Sequence, residues 1–194
     1  MEPFRIVDLT PEDTQLIQQT AQVAYEASQS ISKIWLPSVE AALEEVYESL
    51  EREGISQVLL DGNRVAAWIG ASLQFSGRVV EIHPLIVARA YQGKGLGRQM
   101  VNHVEAWARQ QGAFTLWIGT SDKTHATSLS GVNLYENPGI AISSFHQVAP
   151  HPCGFWLRLG FRIVGVLPDA EGFGKPSIMM AQPLQQKGGE ANED

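Results

Sequence analysis

The sequence predicts an α/β fold built on a mixed sheet. Three observations lead there. Stretches of period-two alternation are interleaved with stretches of helical, 3.6-residue periodicity. The 194 residues, 44% of them hydrophobic, suffice for one buried core, so a single domain over residues 1–181 is expected. And a Gly-rich turn, Gln92-Gly93-Lys94-Gly95-Leu96-Gly97, joins an apolar strand-like run to an amphipathic helix.

Taken in order, Phe4 to Leu9 reads as a short strand. Thr10-Pro11-Glu12-Asp13 reads as a helix start with Pro in its first turn, the helix running toward Ala27. Ser38 opens a second helix through Val39, Leu43, Val46 and Leu50, with Gly54 expected to end it. Ser56 to Leu60 and Arg64 to Leu73 are strands joined at Asp61-Gly62-Asn63, a hairpin signal. Gly77 turns the chain into the strand Val79 to Val87. Leu96, Met100, Val104 and Trp107 then mark one face of a helix over 97–111, closed by Gly112. A strand from Phe114 to Gly119, a short helix over 153–159 stopped by Gly160, and strands 161–167 and 177–181 complete the order.

Composition excludes several classes. Net charge is −7, from 14 basic against 21 acidic residues, which argues against nucleic acid as a partner. No run approaches the roughly 18 apolar residues of a membrane span, and the first residues lack the layout of a signal peptide. Cys153 is the single cysteine, so there is no internal disulfide. His125, His146, His151 and Cys153 lack tight ligand spacing, so no metal is expected. A cytoplasmic protein, monomeric or homodimeric, is expected. Residues 182–194 read as a polar, frayed tail. The remaining body is modestly acidic, which favours a cationic substrate.

A Gly-rich turn that feeds a helix start presents free backbone N–H groups at the positive end of the helix dipole, a ready anion site. Arg89, Lys94 and Arg98 add positive charge around it. It is not a Walker loop, because no Ser or Thr follows Gly-Lys. Nor is it the dinucleotide fingerprint, because Gly93, Gly95 and Gly97 alternate and position 98 is Arg.

The turn resembles the pyrophosphate loop of the GNAT acetyltransferases, written Gln/Arg-x-x-Gly-x-Gly/Ala, which Gln92, Gly95 and Gly97 satisfy. Phe155-Trp156-Leu157-Arg158-Leu159-Gly160-Phe161 resembles that family's usual Phe-Tyr-x-x-Leu-Gly-Phe block. The resemblance implies the GNAT acyl-CoA N-acyltransferase fold, a mostly antiparallel mixed sheet flanked by helices and splayed at the cofactor site. It implies acetyl-CoA as co-substrate, its diphosphate held by Gln92, Gly93, Lys94, Gly95, Leu96, Gly97 and Arg98. The backbone of Leu85, Ile86 and Val87 would then align the pantetheine and thioester. Trp156 stands where relatives often carry a Tyr able to protonate the departing thiolate. Indole is not a workable acid, so Trp156 is expected to pack against the cofactor, leaving water or Tyr135 as proton donor. A thiol titrates near about 8.5, so its anion departs tolerably without one.

Amine acetylation needs a neutral amine, a route for its proton and donors for the oxyanion. Glu81 and His83 alternate with Leu85 and Val87 on the strand before the turn, and Pro84 marks a bulge, edge or opening. Glu81 stands six residues before Val87, where the histone-acetylating relatives place a base glutamate. It is expected to be the general base, with a structural carboxylate as the alternative. His83 is a second candidate, as base or substrate contact, against a packing role.

The long connection from Gly119 to His151 is too apolar and aromatic for a linker and is expected to cover the acceptor. Gly119-Thr120-Ser121-Asp122, the run 127–135, His151-Pro152, the run 165–170 and Gly174-Lys175-Pro176 resemble a GNAT subgroup labelled aminoglycoside 6'-N-acetyltransferase. Lys123 departs from the second acidic residue usual there. Asp122, Glu136 and Asp169 are candidate carboxylates for a cationic acceptor, with Tyr135 and His83 beside them, or else solvated loop residues. Polyamine or protein amines remain alternative acceptors, as does an acyl-CoA-binding regulatory module without catalysis.

Overall fold

The computed structural model describes residues 4–29 and 35–184. Most of the expected tail lies outside them, as do Met1 to Pro3. The fold divides into two compact units, one ending at Phe114 and one beginning at Thr115.

The first unit runs β1 (Arg5–Asp8), α1 (Thr14–Ser28), α2 (Val39–Glu51), β2 (Gly54–Asp61), β3 (Arg64–Gln74), β4 (Val79–Val87), a single 3-10 turn (Arg89–Tyr91) and α3 (Leu96–Gln110). Its strands pair antiparallel in the order β1-β2-β3-β4. The β2–β3 hairpin pairs Asp61 with Arg64, leaving a two-residue turn in which Gly62 takes φ 59°. α1 and α2 pack together over a core that includes Ile17, Ala24, Val46, Val58 and Trp68. The Trp68 indole N–H needs a buried acceptor and finds Ser56 Oγ at 3.0 Å, which in turn meets Ser49 Oγ at 2.9 Å. Two serines in the core are thereby explained.

The second unit runs β5 (Thr115–Ser121), α4 (Pro138–Ser143), α5 (Cys153–Leu159), β6 (Arg162–Leu167) and β7 (Ser177–Pro183). β7 lies between β5 and β6, antiparallel to both. Gly160 closes α5 at φ 99°, as its position implied.

The α/β reading holds, with three local differences. Pro11 sits in a turn ahead of α1, not in its first turn. There Asp13 Oδ2 accepts from Thr10 N and Oγ1, both at 2.9 Å, and the helix begins at Thr14. α4 arises inside the long connection, where the sequence showed only an apolar piece around Ile140. Gly54 does not cap α2; Arg52 ends that helix in extended conformation and Gly54 opens β2.

Gly54 is instead required by close approach, since a Cβ there would lie 2.0 Å from the Ala71 carbonyl oxygen across the hairpin. Gly54→Ala should lower stability by about 3 kcal/mol, as overpacking does. Urea unfolding of the two proteins measures it.

Candidate active site

The turn after β4 is built to leave main-chain donors unsatisfied. Gly93 and Gly95 take φ 75° and 83°, left-handed values that favour glycine, and Gly95 is the N-cap of α3 without a side-chain cap. Gln92 Nε2 donates to the Val87 carbonyl at 3.0 Å and ties the turn to the strand end. Among the described residues no acceptor pairs with the N–H groups of Gly93, Lys94, Gly95, Leu96 or Gly97. Gln92 to Gly95 are exposed, while Leu96 and Met100 anchor the helix below. Lys94 rests over the Tyr91 ring, 5.1 Å from its centroid, and Tyr91 donates to Asp61 at 2.8 Å. A convergent set of free N–H groups at a helix start, flanked by cations, suits a diphosphate.

β4 alternates in burial. Val80, Ile82, Pro84 and Ile86 are buried and Glu81, His83, Leu85 and Val87 half-buried, but Leu85 pairs with Ile69, three residues from the Ser72 that faces Glu81, so Glu81 and Leu85 lie on opposite faces. Glu81 is paired in register with Ser72. The β3–β4 register shifts between Ile69 and Ala71, beside Pro84, so the bulge expected from the proline is present. Gly70 makes this possible, because a Cβ there would lie 2.3 Å from the His83 carbonyl oxygen.

α2 contributes residues that the sequence did not flag. Glu45 Oε1 lies 3.2 Å from His83 Nε2 and 3.5 Å from Arg52 Nη2. The contact with His83 holds the Glu45 carboxyl below the ordinary glutamate value against burial, which pushes it up; the positive field of His83 and Arg52 helps. The only hint in sequence was a glutamate between the buried Ala42 and Val46.

In the second unit Asp122 differs from its expected role. Its side chain is 0% exposed and both oxygens are occupied. Oδ1 accepts from Ala126 N at 2.8 Å; Oδ2 accepts from Thr127 N at 2.8 Å and from Thr127 Oγ1 and Ser130 Oγ at 2.7 Å. Burial alone would raise its pKa, but the donors from Ser130, Thr127 and the two main-chain N–H groups outweigh it and lower it. Asp122 therefore anchors the 122–130 loop and has no free oxygen for an amine. Lys123, the departure noted in the sequence, is paired with Glu171 at 3.0 Å.

Tyr135 is 72% exposed, and its phenol is pushed up by desolvation and by Asp169. Glu136 is exposed and accepts from Asn133 Nδ2 at 2.8 Å. Trp156 is 4% exposed, with the Phe155 and Phe161 rings each 5.0 Å away, edge to face. Its surroundings are thus aromatic, and the two phenylalanine rings pack against the indole. His151 Nδ1 accepts from Cys153 N at 3.2 Å while Nε2 meets the Ser121 carbonyl at 3.1 Å, which ties the start of α5 to the end of β5. Cys153 is buried, and its thiol is pushed up to about 12 by desolvation and the Asp122 charge.

A model described as the acetyltransferase (GNAT) family matches residues 20–137. No curated protein matches significantly by sequence. Among solved structures, an aminoglycoside 6'-N-acetyltransferase complexed with coenzyme A aligns at a TM-score of 0.84 and 29% identity, over 95% of this chain and 99% of that one. The aminoglycoside 6'-N-acetyltransferase from Enterococcus faecium aligns at 0.82 and 30% identity, with the same coverage of both chains. Aminoglycoside 6'-acetyltransferase type Ii aligns at 0.71 and 26%, again over 95% and 99%.

The Asp122 anchor has a measurable signature. Asp122→Asn supplies one acceptor oxygen to four donors and should cost about 3 kcal/mol of stability at neutral pH, given about 1.5–3 kcal/mol for a hydrogen bond to a charged group. Because the folded carboxyl titrates below its unfolded value, the stabilisation is present above that value and lost as pH falls through the folded one. The variant should therefore lose less stability than the parent on acidification, read by thermal unfolding from pH 7 to pH 3.

Proposed function

As the chain belongs to the acetyltransferase (GNAT) family, and is an N-acetyltransferase, we propose that it acetylates a primary amine of a small cationic, aminoglycoside-like acceptor. The observation that carries the proposal is the set of unpartnered N–H groups at Gly93 to Gly97, heading α3. That set fits the diphosphate of coenzyme A, and a similar structure is a coenzyme A complex. The bound co-substrate supplies an activated acetyl thioester.

The residues would divide the work as follows. Gln92 to Gly97 hold the diphosphate by main-chain donors, with Arg98 adding charge. The main chain of Leu85 to Val87 orients the pantetheine arm. Glu81, half-buried on β4, takes the proton of the acceptor amine directly or through water. Tyr135 is the candidate proton donor, and its raised pKa keeps it protonated near neutrality, as a donor must be. Glu136 and Asp169 remain candidate carboxylates for an acceptor ammonium, whereas Asp122 acts only by shaping its loop.

Thiol release from acetyl-CoA with kanamycin, spermidine and a lysine peptide tests the proposal. Turnover confined to kanamycin is expected. Turnover on spermidine or the peptide alone overturns the acceptor class, and tight coenzyme A binding without turnover on any amine favours a regulatory binding module. Glu81→Gln should lower kcat/KM by about 10²–10⁴-fold, the usual worth of a general base, while coenzyme A affinity by calorimetry stays unchanged.

A further inference from the structure

His83 is joined to α2 by two independent contacts. Its Nε2 lies 3.2 Å from Glu45 Oε1, and its main-chain carbonyl accepts from Arg52 Nη1 at 3.5 Å. Glu45 is 14% exposed at its side chain, so its charge is weakly screened. Arg52 reaches the same carboxylate at 3.5 Å and Glu48 at 3.4 Å, which places a cation on the outer side of the pair. Glu45 Oε1 has no other hydrogen-bond partner, which leaves it to face the Nε2 proton at 3.2 Å. The Trp35 ring stands 6.1 Å from the imidazole, tilted by 57°. Nδ1 has no partner among the described residues.

We propose that Glu45 is a positioning residue that holds His83 with its Nε2 proton toward α2, leaving Nδ1 as a proton acceptor on the same strand face as Glu81. A carboxylate behind one imidazole nitrogen fixes the tautomer and stabilises the imidazolium formed when the other nitrogen takes a proton. The proton leaves the acceptor amine nitrogen for Glu81 and passes through water to His83 Nδ1. An N–H bond is broken on the amine and one is formed on the ring, whose positive charge faces Glu45. Solvent removes that proton after transfer, since the His83 side chain is 38% exposed. The charged groups around the ring are Glu45, Arg52 and, through Arg52, Glu48, with Glu81 two places back on β4; from β3 come Gly70 and Ser72, which do not titrate. This role rests on the N-acetyltransferase reading, but the geometry beneath it does not.

The test uses Glu45→Gln in the full chain, with Glu45→Asp as the conservative partner. Nitrogen-15 NMR of histidine-labelled protein at pH 8, with no substrate, should show His83 as the Nε2–H tautomer in the parent. A tautomer mixture is expected in Glu45→Gln and partial recovery in Glu45→Asp. With acetyl-CoA and kanamycin, Glu45→Gln should lower kcat/KM about tenfold, with partial recovery in Glu45→Asp. An unchanged tautomer ratio overturns the pairing. An unchanged kcat/KM beside a lowered melting temperature overturns the proton role and leaves Glu45 a purely structural residue. A changed tautomer in a chain that acetylates no amine overturns the acetyltransferase reading and the proton role together, while the pairing stands.

Discussion

A main-chain N–H taken from water must be given another acceptor, and the turn at the head of α3 has none to offer internally. The glycines at 93 and 95 bend the chain so that its donors converge outward, and Gly95 caps the helix without any side chain in the way. Leu96 and Met100 fix the helix beneath, and Gln92 fixes the strand above. Everything proposed about the chemistry follows from this arrangement. The donors define where a diphosphate would sit, and the strand that ends beside them, β4, defines which side chains would meet the attached thioester.

The two units meet the cost of buried polar groups differently. In the first, Trp68, Ser56 and Ser49 form a small closed chain of hydrogen bonds, and the charged cluster of Glu45, Arg52 and His83 remains partly open to solvent. In the second, a single carboxylate gathers four donors from one loop. Ionised and fully surrounded, Asp122 serves the connection between β5 and α4 much as a hydrophobic plug serves a core. The acidity that the sequence placed at the acceptor is thereby spent on loop geometry. Glu136, exposed on that connection, and Asp169, half-buried after β6, are left as the other candidate carboxylates.

Much of this was legible in advance, for reasons that are local. The helix of the anion turn showed itself because Leu96, Met100 and Val104 recur on one face, and all three are buried. The turn itself was readable because positive φ there all but demands glycine. The strand carrying Glu81, His83, Leu85 and Val87 was readable from its two-residue period, but the bulge beside Pro84 interrupts that period, so Glu81 and Leu85 face opposite ways. What escaped was long-range. Glu45 and His83 are neighbours only because α2 packs beside the sheet, and nothing within either segment announces the other. Gly54 looked like a helix stop because glycine after a helix is common, while its actual constraint is a carbonyl on β3. Asp122 reads as a surface acid until the backbone of residues 126 and 127 folds back over it. Nothing in the sequence around Trp156 announces that the Phe155 and Phe161 rings pack edge to face against it.

The lone cysteine has a practical corollary. Cys153 is sealed at the start of α5, and a sulfhydryl that ionises only near pH 12 is almost wholly protonated at neutrality. In a colorimetric assay with an aromatic disulfide reagent, the folded polypeptide is therefore a silent background. Every equivalent of colour reports coenzyme A set free.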